Sequence, residues 1–344
     1  MTNAEIAIIG LGGMGSRHIQ AARLLGANIV SLCDVNPEAL DRAAKDLPNT
    51  KLFSSVSEFI AAGAHHADLV CVVTNTPFRV EILSQLAEAG ARRVLTEKPF
   101  TTNVGDAHRM TKLYDDADIP LTVNTFRHFC ENHIRIRDLV RTEQFGEPRH
   151  ITIHSASTGL GNMGSVFFDL MNFFIQSPPV MVTGSIDKTA TPSPRGPQYR
   201  DPAGFGMVLY ENGCRGFIDT SEDTGIPYTF HIGTTYGRVF IDELFHNWSA
   251  EARTDADRIE KALTYYLTEL QDVPLKLSHG YDPVEMTSFT MRAALEDRPE
   301  AYNAAAATTA MEMILAMHVS DRQGNIPIPL PLAKEFHDLD LPFA

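Results

Sequence analysis

Residues 10–15 read "GLGGMG" and sit between the apolar run "EIAII" and a segment with helical spacing from about Ser16 to Leu25. No other feature restricts the fold as much, because a strand, a G-x-G-x-x-G turn and a helix open a nucleotide-binding βαβ unit. Gly10 allows the tight turn, Gly12 lets a pyrophosphate approach the backbone, and Gly15 lets the helix pack close on the strand. Gly13 and Met14 complete the turn at the helix start, where exposed N–H groups bind an anion. Glycine-rich turns are common, so the motif gains force only from its surroundings.

Those surroundings agree. "NIVSLCD" reads as a second strand ending on Asp34, where a carboxylate accepts ribose hydroxyls and repels a 2′-phosphate. The following "VNPE" supplies no arginine to hold such a phosphate, so NAD is favoured over NADP. The plainer reading of Asp34 is a turn residue ahead of Asn36-Pro37. "NPEALDRAAKDL" and "RVEILSQLAEAG" carry helical spacing, and "ADLVCVVT" is a continuous apolar run, as in a strand covered on both faces. Thr74, Asn75 and Thr76 follow that run at the end of the sheet where doubly wound folds bind ligands. Strand and helix alternating in this way predict an α/β fold with a parallel, doubly wound sheet. We assign residues 1–123 to an NAD-binding Rossmann domain.

The pattern changes near residue 120. "RHITIHSAS", "PVMVTGSI", "FGMVLYENGCRGFIDTS" and "YTFHIGTTYGRVFID" are strand-like, with "ENG" and "TYG" placed as hairpin turns. "ENHIRIRDLVRTEQFG", "ADRIEKALTYYLTEL" and "AAAATTAMEMILAMHVS" read as helices, and the Pro-rich "TATPSPRGPQYRDP" as a loop. Residues 124–344 are therefore expected to form an α+β domain with a mostly antiparallel open sheet.

Charge and composition narrow the function. A formal net charge of −14 over 344 residues lacks the basic face that nucleic-acid binding needs, while a local basic pocket for an anionic ligand stays open. No apolar run approaches the roughly 20 residues of a membrane span, and "MTNAEIAIIG" lacks the pattern of a signal peptide. Cys33, Cys71, Cys130 and Cys214 have no metal-ligand spacing and read as reduced core residues, which implies a cytoplasmic protein and no metal.

"RRVLTEKPF" carries the chemistry. Lys98 follows an apolar strand and precedes a proline, so it lies where a nicotinamide ring would sit. The ring's charge and dry surroundings would lower its pKa and fit it to exchange a proton with a substrate hydroxyl. The plainer reading is a surface lysine paired with Glu97. Together, "GLGGMG", Asp34, "EKP" at 97–99, "VNTFRHF" and "GNMGSVFFDL" make the chain resemble the glucose–fructose oxidoreductase / inositol dehydrogenase / MocA (Gfo/Idh/MocA) family, from residue 4 to roughly the end. That resemblance implies an NAD(P)-dependent oxidoreductase acting on a sugar, cyclitol or nucleotide-sugar. Lys98 would be the catalytic group, the peptide before Pro99 is often cis, and a homodimer or homotetramer would form through the C-terminal sheet.

The family's second-domain motif, G-x-H-x-x-D, falls on Gly164 to Asp169. Asp169 takes the aspartate position as electrostatic partner of Lys98. Val166 takes the position of the proton-exchanging histidine, and valine can neither donate nor accept a proton. Candidates to compensate or to bind substrate are Asn124, Arg127, His154, Asn162, Tyr199 and Arg200. The plainer and preferred reading of His154 is a sheet histidine facing water or a partner subunit, and Arg127 reads also as half of a structural ion pair. His18 follows the glycine turn in the family's manner, though a helix-surface role also explains it. His65 and His66 are expected to be solvated. Val166 motivates an alternative function, a dinucleotide- or sugar-binding regulator that has lost catalysis. A third reading, NAD used transiently in a net non-redox glycosidase reaction, lacks the histidine-rich motifs it would need.

Overall fold

A computed structural model describes residues 3–156, 159–188 and 196–343. Part of the Pro-rich segment read as a loop, residues 189–195, lies outside the described residues. The chain groups into two compact units.

The first unit holds residues 1–129, 282–311 and 337–344. Its sheet has the strands β1 (Glu5–Ile9), β2 (Asn28–Cys33), β3 (Lys51–Phe53), β4 (Leu69–Val72), β5 (Val94–Thr96) and β6 (Leu121–Val123). They lie in the order β3-β2-β1-β4-β5-β6, and every pairing is parallel. The chain thus starts at β1 and winds outward in both directions, the doubly wound topology expected. All four residues of β4 are fully buried, as a strand covered on both faces requires. The connecting helices are α1 (Gly13–Leu25), α2 (Pro37–Asp46), α3 (Val56–Ala61), α4 (Thr76–Glu88) and α5 (Val104–Asp116). Three of their starts are capped by side chains: Asn36, Ser55 and Asn103 each accept a backbone N–H at the head of α2, α3 and α5. α1 begins three residues earlier than the spacing from Ser16 suggests.

The second unit holds residues 130–281 and 312–336. It contains α6 (Glu131–Leu139), β7 (Pro148–His154), α7 (Ser165–Ile175), β8 (Pro179–Ile186), β9 (Gly204–Tyr210), β10 (Arg215–Asp219), β11 (Thr229–Thr234), β12 (Gly237–Asp242), β13 (Asn247–Arg253), α8 (Asp255–Glu260) and β14 (Leu270–Asp272). After α9 (Pro283–Leu295), which belongs to the first unit, come α10 (Ala304–Arg322) and the two-residue strand β15 (Ile328–Pro329). The sheet runs β14-β13-β12-β11-β7-β10-β9-β8-β15, antiparallel everywhere except between β7 and β10. One face is covered by α7: Gly216 of β10, opposite Ile151, leaves room for Met171, whose sulfur lies 2.9 Å from where a Cβ would stand. The other face is open and carries Phe205 and Phe217, 52% and 38% exposed.

Three expectations differ from the structure. The sequence reading assigns all of 124–344 to the second domain, whereas 282–311 and 337–344 pack with the first. Met291 and Ala294 of α9 join the buried cluster of Leu11, Ala21, Ala22 and Leu25. Asn303 holds the edge strand β6 through Val123 N (2.7 Å) and Val123 O (3.0 Å). Secondly, the helix expected over "ADRIEKALTYYLTEL" stops at Glu260. Arg253 donates to the carbonyls of Lys261, Ala262, Leu263 and Tyr265, which a continuing helix would need for itself. Thirdly, α6 ends at Leu139, short of Gly146, and turns fill the gap. Among the described residues no helix is long and apolar enough to cross a membrane.

Candidate functional site

The first unit places its candidate residues at one end of its sheet. Gly10, Asp34, Glu97 and Asn124 stand immediately beyond the carboxyl ends of β1, β2, β5 and β6, and Thr74 stands two residues beyond that of β4. The strand order reverses at β1, which pairs with both β2 and β4, and ligands of open α/β sheets bind outside such a point. A cavity of about 600 Å³ at the opposite end, lined by Asn28, Ser31 and Lys51, holds none of them.

The glycines divide the labour as the motif requires. Gly10 has φ +98°, and a Cβ there would lie 2.8 Å from the Val73 carbonyl carbon. A Cβ on Gly15 would lie 2.1 Å from Gly10 O, so α1 can approach β1 only with glycine at that position. Gly12 and Gly13 are different: a Cβ on either meets nothing within 4 Å. Their backbone therefore borders open space at the head of α1, whose first turn has no acidic side chain to occupy its N–H groups. Met14 is half-buried, with Arg17 Nη1 3.4 Å from its sulfur.

Asp34 ties the second turn to the first. Its Oδ2 accepts Leu11 N at 2.6 Å and its Oδ1 accepts Asn36 N at 2.8 Å. The turn reading of Asp34 thus holds without excluding ribose binding, because each carboxylate oxygen keeps a further lone pair. Burial pushes the neighbouring Cys33 thiol up to about 12, with the Asp34 and Glu58 charges adding to it, so it stays protonated. All four cysteines are buried and free. Beyond β4, Asn75 stands at the N-terminal boundary of α4 and Thr76 is fully buried. Thr74 Oγ1 is buried and has no hydrogen-bond partner among the described residues.

Glu97 is the hub of the site. It is 3% exposed, and its Oε1 lies 2.7 Å from His18 Nε2 and accepts Asn124 Nδ2 at 2.7 Å. Burial pushes the Glu97 carboxyl up, but the His18 and Asn124 hydrogen bonds and the charges of His18 and Lys98 outweigh it and hold the group below 4.5. Lys98 is half-buried, and the Lys98–Pro99 peptide is cis. Arg79, 2% exposed, donates to the carbonyls of Thr74 (2.9 Å), Glu97 (2.8 Å) and Pro99, joining the turns after β4 and β5. Asn124 also donates to Thr287 Oγ1 at 3.4 Å, and its Oδ1 is buried without a partner among the described residues. Arg127 is buried in the short 3₁₀ turn Phe126–Phe129, its guanidinium 5.0 Å from the Phe126 ring centre. Open space over Gly12 and Gly13, a bare helix N-terminus, Asp34, and the orphaned Thr74 and Asn124 atoms suit a dinucleotide.

In the second unit, Asp169 and Val166 are on α7, 3% and 6% exposed. Asn162 lies in the π-helical turn Leu160–Gly164 just before α7 and is exposed. Asp201 fastens this turn, accepting Gly161 N at 2.6 Å and Asn162 N at 2.8 Å. Tyr199 is half-buried two residues from Asp201, its N–H donating to Gly196 O, while Arg200 is exposed. His154 takes its plainer reading, a sheet histidine, and not that of a substrate contact. It is exposed on the open face of the sheet, beside Phe205 and Phe217, because β7 turns Ile151 and Ile153 toward α7 and alternates His154 away.

Two further corrections concern histidines, and one residue was missed. His18 is fully buried rather than on a helix surface, and His65 is buried while His66 is exposed. The signal for His18 was present: Gly15, His18, Ala21, Ala22 and Leu25 form the buried stripe of α1. Arg79 carries the same signal, lying on the stripe of Thr76, Ile82, Leu83 and Leu86.

Residues 4–125 match the family model described as "Oxidoreductase family, NAD-binding Rossmann fold". The chain is 29% identical over 152 residues to inositol 2-dehydrogenase of Mycolicibacterium gilvum, covering 43% of this chain and 42% of that protein. It is 30% identical over 119 residues to D-apiose dehydrogenase of Paraburkholderia graminis, covering 34% and 31%. The matched stretch thus spans less than half the length of these relatives. The WlbA dehydrogenase of Bordetella pertussis, solved with NADH and UDP-GlcNAcA, superposes with a TM-score of 0.75 over 96% of this chain and all of that one, at 20% identity, a likeness of fold. The family match thus falls on residues 4–125, the stretch that holds the glycine turn, Asp34 and the EKP segment.

Proposed function

We propose that the protein is an NAD-dependent oxidoreductase that interconverts a hydroxyl and a ketone on a sugar, cyclitol or nucleotide-sugar. The observation that carries this reading is the glycine turn, tight at Gly10 and Gly15 and open at Gly12 and Gly13, on the same sheet end as Lys98. The dinucleotide would lie with its pyrophosphate at the head of α1 and a ribose on Asp34. It supplies the two-electron hydride exchange. Lys98 Nζ takes the hydroxyl proton when substrate is oxidised and returns it when substrate is reduced. Asn124 and Arg127 orient the substrate or the ring amide, Thr74, Asn75 and Thr76 border the cofactor, and Asn162 and Tyr199 are substrate contacts. Asp169 is assigned its role as electrostatic partner of Lys98 from the second-domain motif alone.

The test mixes the protein with NAD and a panel including myo-inositol, D-apiose and a UDP-linked sugar, and follows NADH absorbance. One panel member should be oxidised, and Lys98→Met should lower its turnover by about 10²–10⁴-fold. A Lys98→Met variant with the wild-type rate would refute the role of Lys98. The regulator reading is favoured by Val166, which places no titratable group at its position. It predicts tight NAD binding with no change of redox state across the panel.

We also propose a homodimer or homotetramer formed by the open face of the nine-stranded sheet, where Phe205 and Phe217 are exposed side by side. Phe217→Glu should shift the mass measured by light scattering to that of a smaller species. An unchanged mass would place the contact elsewhere.

A further inference from the structure

Glu97 presents a physical problem. A carboxylate in the interior of a domain is retained against a large desolvation cost, and the site gains nothing from it if Glu97 only fills space. Glutamine would fill the same volume and accept the same two hydrogen bonds without a charge. What glutamine would lack is the field of that charge on the next residue, Lys98.

The groups around Glu97 come from several elements of the first unit. His18 approaches from α1 and Asn124 from the turn after β6, each at 2.7 Å from Oε1. Thr287, on α9, receives the second Asn124 N–H. Cys71 of β4 is fully buried, and burial first and Glu97 second push its thiol up, so it adds no charge. Arg79 of α4 donates to the main-chain oxygens of Glu97 and Pro99. Lys98 acts through its charge, one of the causes that hold Glu97 ionised. The contact also fixes the histidine's orientation. An ionised carboxylate only accepts, so Nε2 must carry the proton, and His18 Nδ1 is left buried without a partner among the described residues.

We propose that the buried chain His18–Glu97–Asn124 tunes Lys98: His18 and Asn124 keep Glu97 charged, and that charge holds the proton on the lysine. The attraction is mutual, because whatever Lys98 does to stabilise the Glu97 anion, Glu97 does to the Lys98 cation. His18 is then a positioning residue, acting on the reacting group only through Glu97. The inference rests on reading Lys98 as the acid–base group. It adds a consequence for that reading, since Glu97 raises the pH at which Lys98 becomes a base and so offsets the lowering by a nearby nicotinamide.

The experiment needs neither substrate nor cofactor. The full chain is acetylated with trace acetic anhydride across a pH series, and reaction at Lys98 is followed by mass spectrometry of its peptide. In Glu97→Gln the Lys98 titration should move to lower pH, because the charge that favours its protonated form is gone. His18→Leu should move it the same way, because Glu97 without its donor takes up a proton. His18→Gln, which keeps an N–H, should restore the wild-type curve. A Lys98 titration unchanged in Glu97→Gln overturns the proposal, whatever happens to stability. A shift in Glu97→Gln with none in folded His18→Leu removes His18 from it. Should His18→Leu fail to fold, His18→Met takes its place. The Lys98 reading fails separately: Lys98→Met that turns over the panel substrate at the wild-type rate refutes the catalytic role and leaves the titration result standing.

Discussion

Two glycine-to-alanine substitutions, three residues apart, should fail in opposite ways. At Gly15 the new methyl would stand 2.1 Å from Gly10 O and 2.9 Å from Gly10 C. Both neighbours are backbone, so no side chain can swing aside, and α1 must retreat from β1 by roughly 1 Å to restore van der Waals distance. Alanine in a helix gains about 1 kcal/mol over glycine, but overpacking costs about 1–3 kcal/mol and pulls on the buried stripe that includes His18. The second effect wins, so Gly15→Ala should lower the melting temperature of the apoprotein by several degrees. At Gly12 the methyl meets nothing within 4 Å, and φ −68° suits alanine. The apoprotein should melt as the wild type does. The space the methyl enters is the space a pyrophosphate needs, and losing one charge-assisted hydrogen bond of about 1.5–3 kcal/mol weakens binding about 10–100-fold. Thermal melting without ligand and calorimetric titration with NAD separate the two. Wild-type NAD affinity in folded Gly12→Ala would refute the placement of the cofactor, and an unchanged melting temperature in Gly15→Ala would refute the packing argument.

Replacing Asp34 by Ser and the exposed Val35 by Arg removes a charge that repels a 2′-phosphate and adds one that holds it. The ratio of NADP to NAD affinity should rise about 100-fold in fluorescence titrations, and an unchanged ratio would detach Asp34 from the ribose. His318 is 7% exposed, and burial first and Arg322 second lower its pKa from 6.5 to about 4, against the pull of Asp321. A histidine kept neutral in the folded state contributes stability that is complete above pH 6.5 and lost as pH falls toward 4, up to about 3 kcal/mol. Urea midpoints compared at those two pH values should therefore fall further for wild type than for His318→Leu; equal falls would contradict the assignment. Val166→His places an imidazole at a site only 6% exposed, so it should cost about 1–3 kcal/mol of stability without raising turnover if Lys98 exchanges the proton unaided. A rise of about 10²-fold or more would show that the site lacks an acid–base group.

Much of the first unit was legible because its signals are local. A strand's apolar run and a glycine turn each lie within a few residues, so β1, β2, β4 and β5 and the placement of Asp34 follow from reading along the chain. The failures are of another kind. "ADRIEKALTYYLTEL" has helical spacing, but Arg253, just before the segment, takes the carbonyls its helix would have used. His154 stayed ambiguous through parity, since a strand offers two faces and the residue itself does not say which is covered; the structure takes the sheet-histidine reading. The return of α9 to the first unit depends on contacts made across nearly three hundred positions, such as Met291 with Leu11, that no local pattern encodes. His18 and Arg79 were legible in principle. Each is a polar residue on an otherwise apolar stripe, and following the helical period through it would have buried both.

The same contrast explains why polar groups collect where they do in the first unit. Along β1 and β4 the interior is apolar, with Ile6, Ile8, Leu69 and Val72 closed to solvent. Beyond the carboxyl ends of the strands the rule is broken repeatedly, by Glu97, Arg79, His18 and Asn124, all 3% exposed or less. Most of their hydrogen-bonding capacity is matched: Arg79 by three carbonyls, Glu97 by His18 and Asn124. Left over among the described residues, besides His18 Nδ1, are Thr74 Oγ1 and Asn124 Oδ1, which cost about 1–3 kcal/mol each if unmatched. A fold selected for stability alone would remove that cost with two apolar side chains. Retaining it is reasonable if a ligand supplies the missing partners, for the deficit then returns as binding energy and the bound protein is stabilised in proportion to ligand concentration. On this argument the unmatched atoms and the empty space over Gly12 belong to one design, in which Glu97 provides the charge, His18 and Asn124 keep it in place, and the dinucleotide completes the hydrogen bonds.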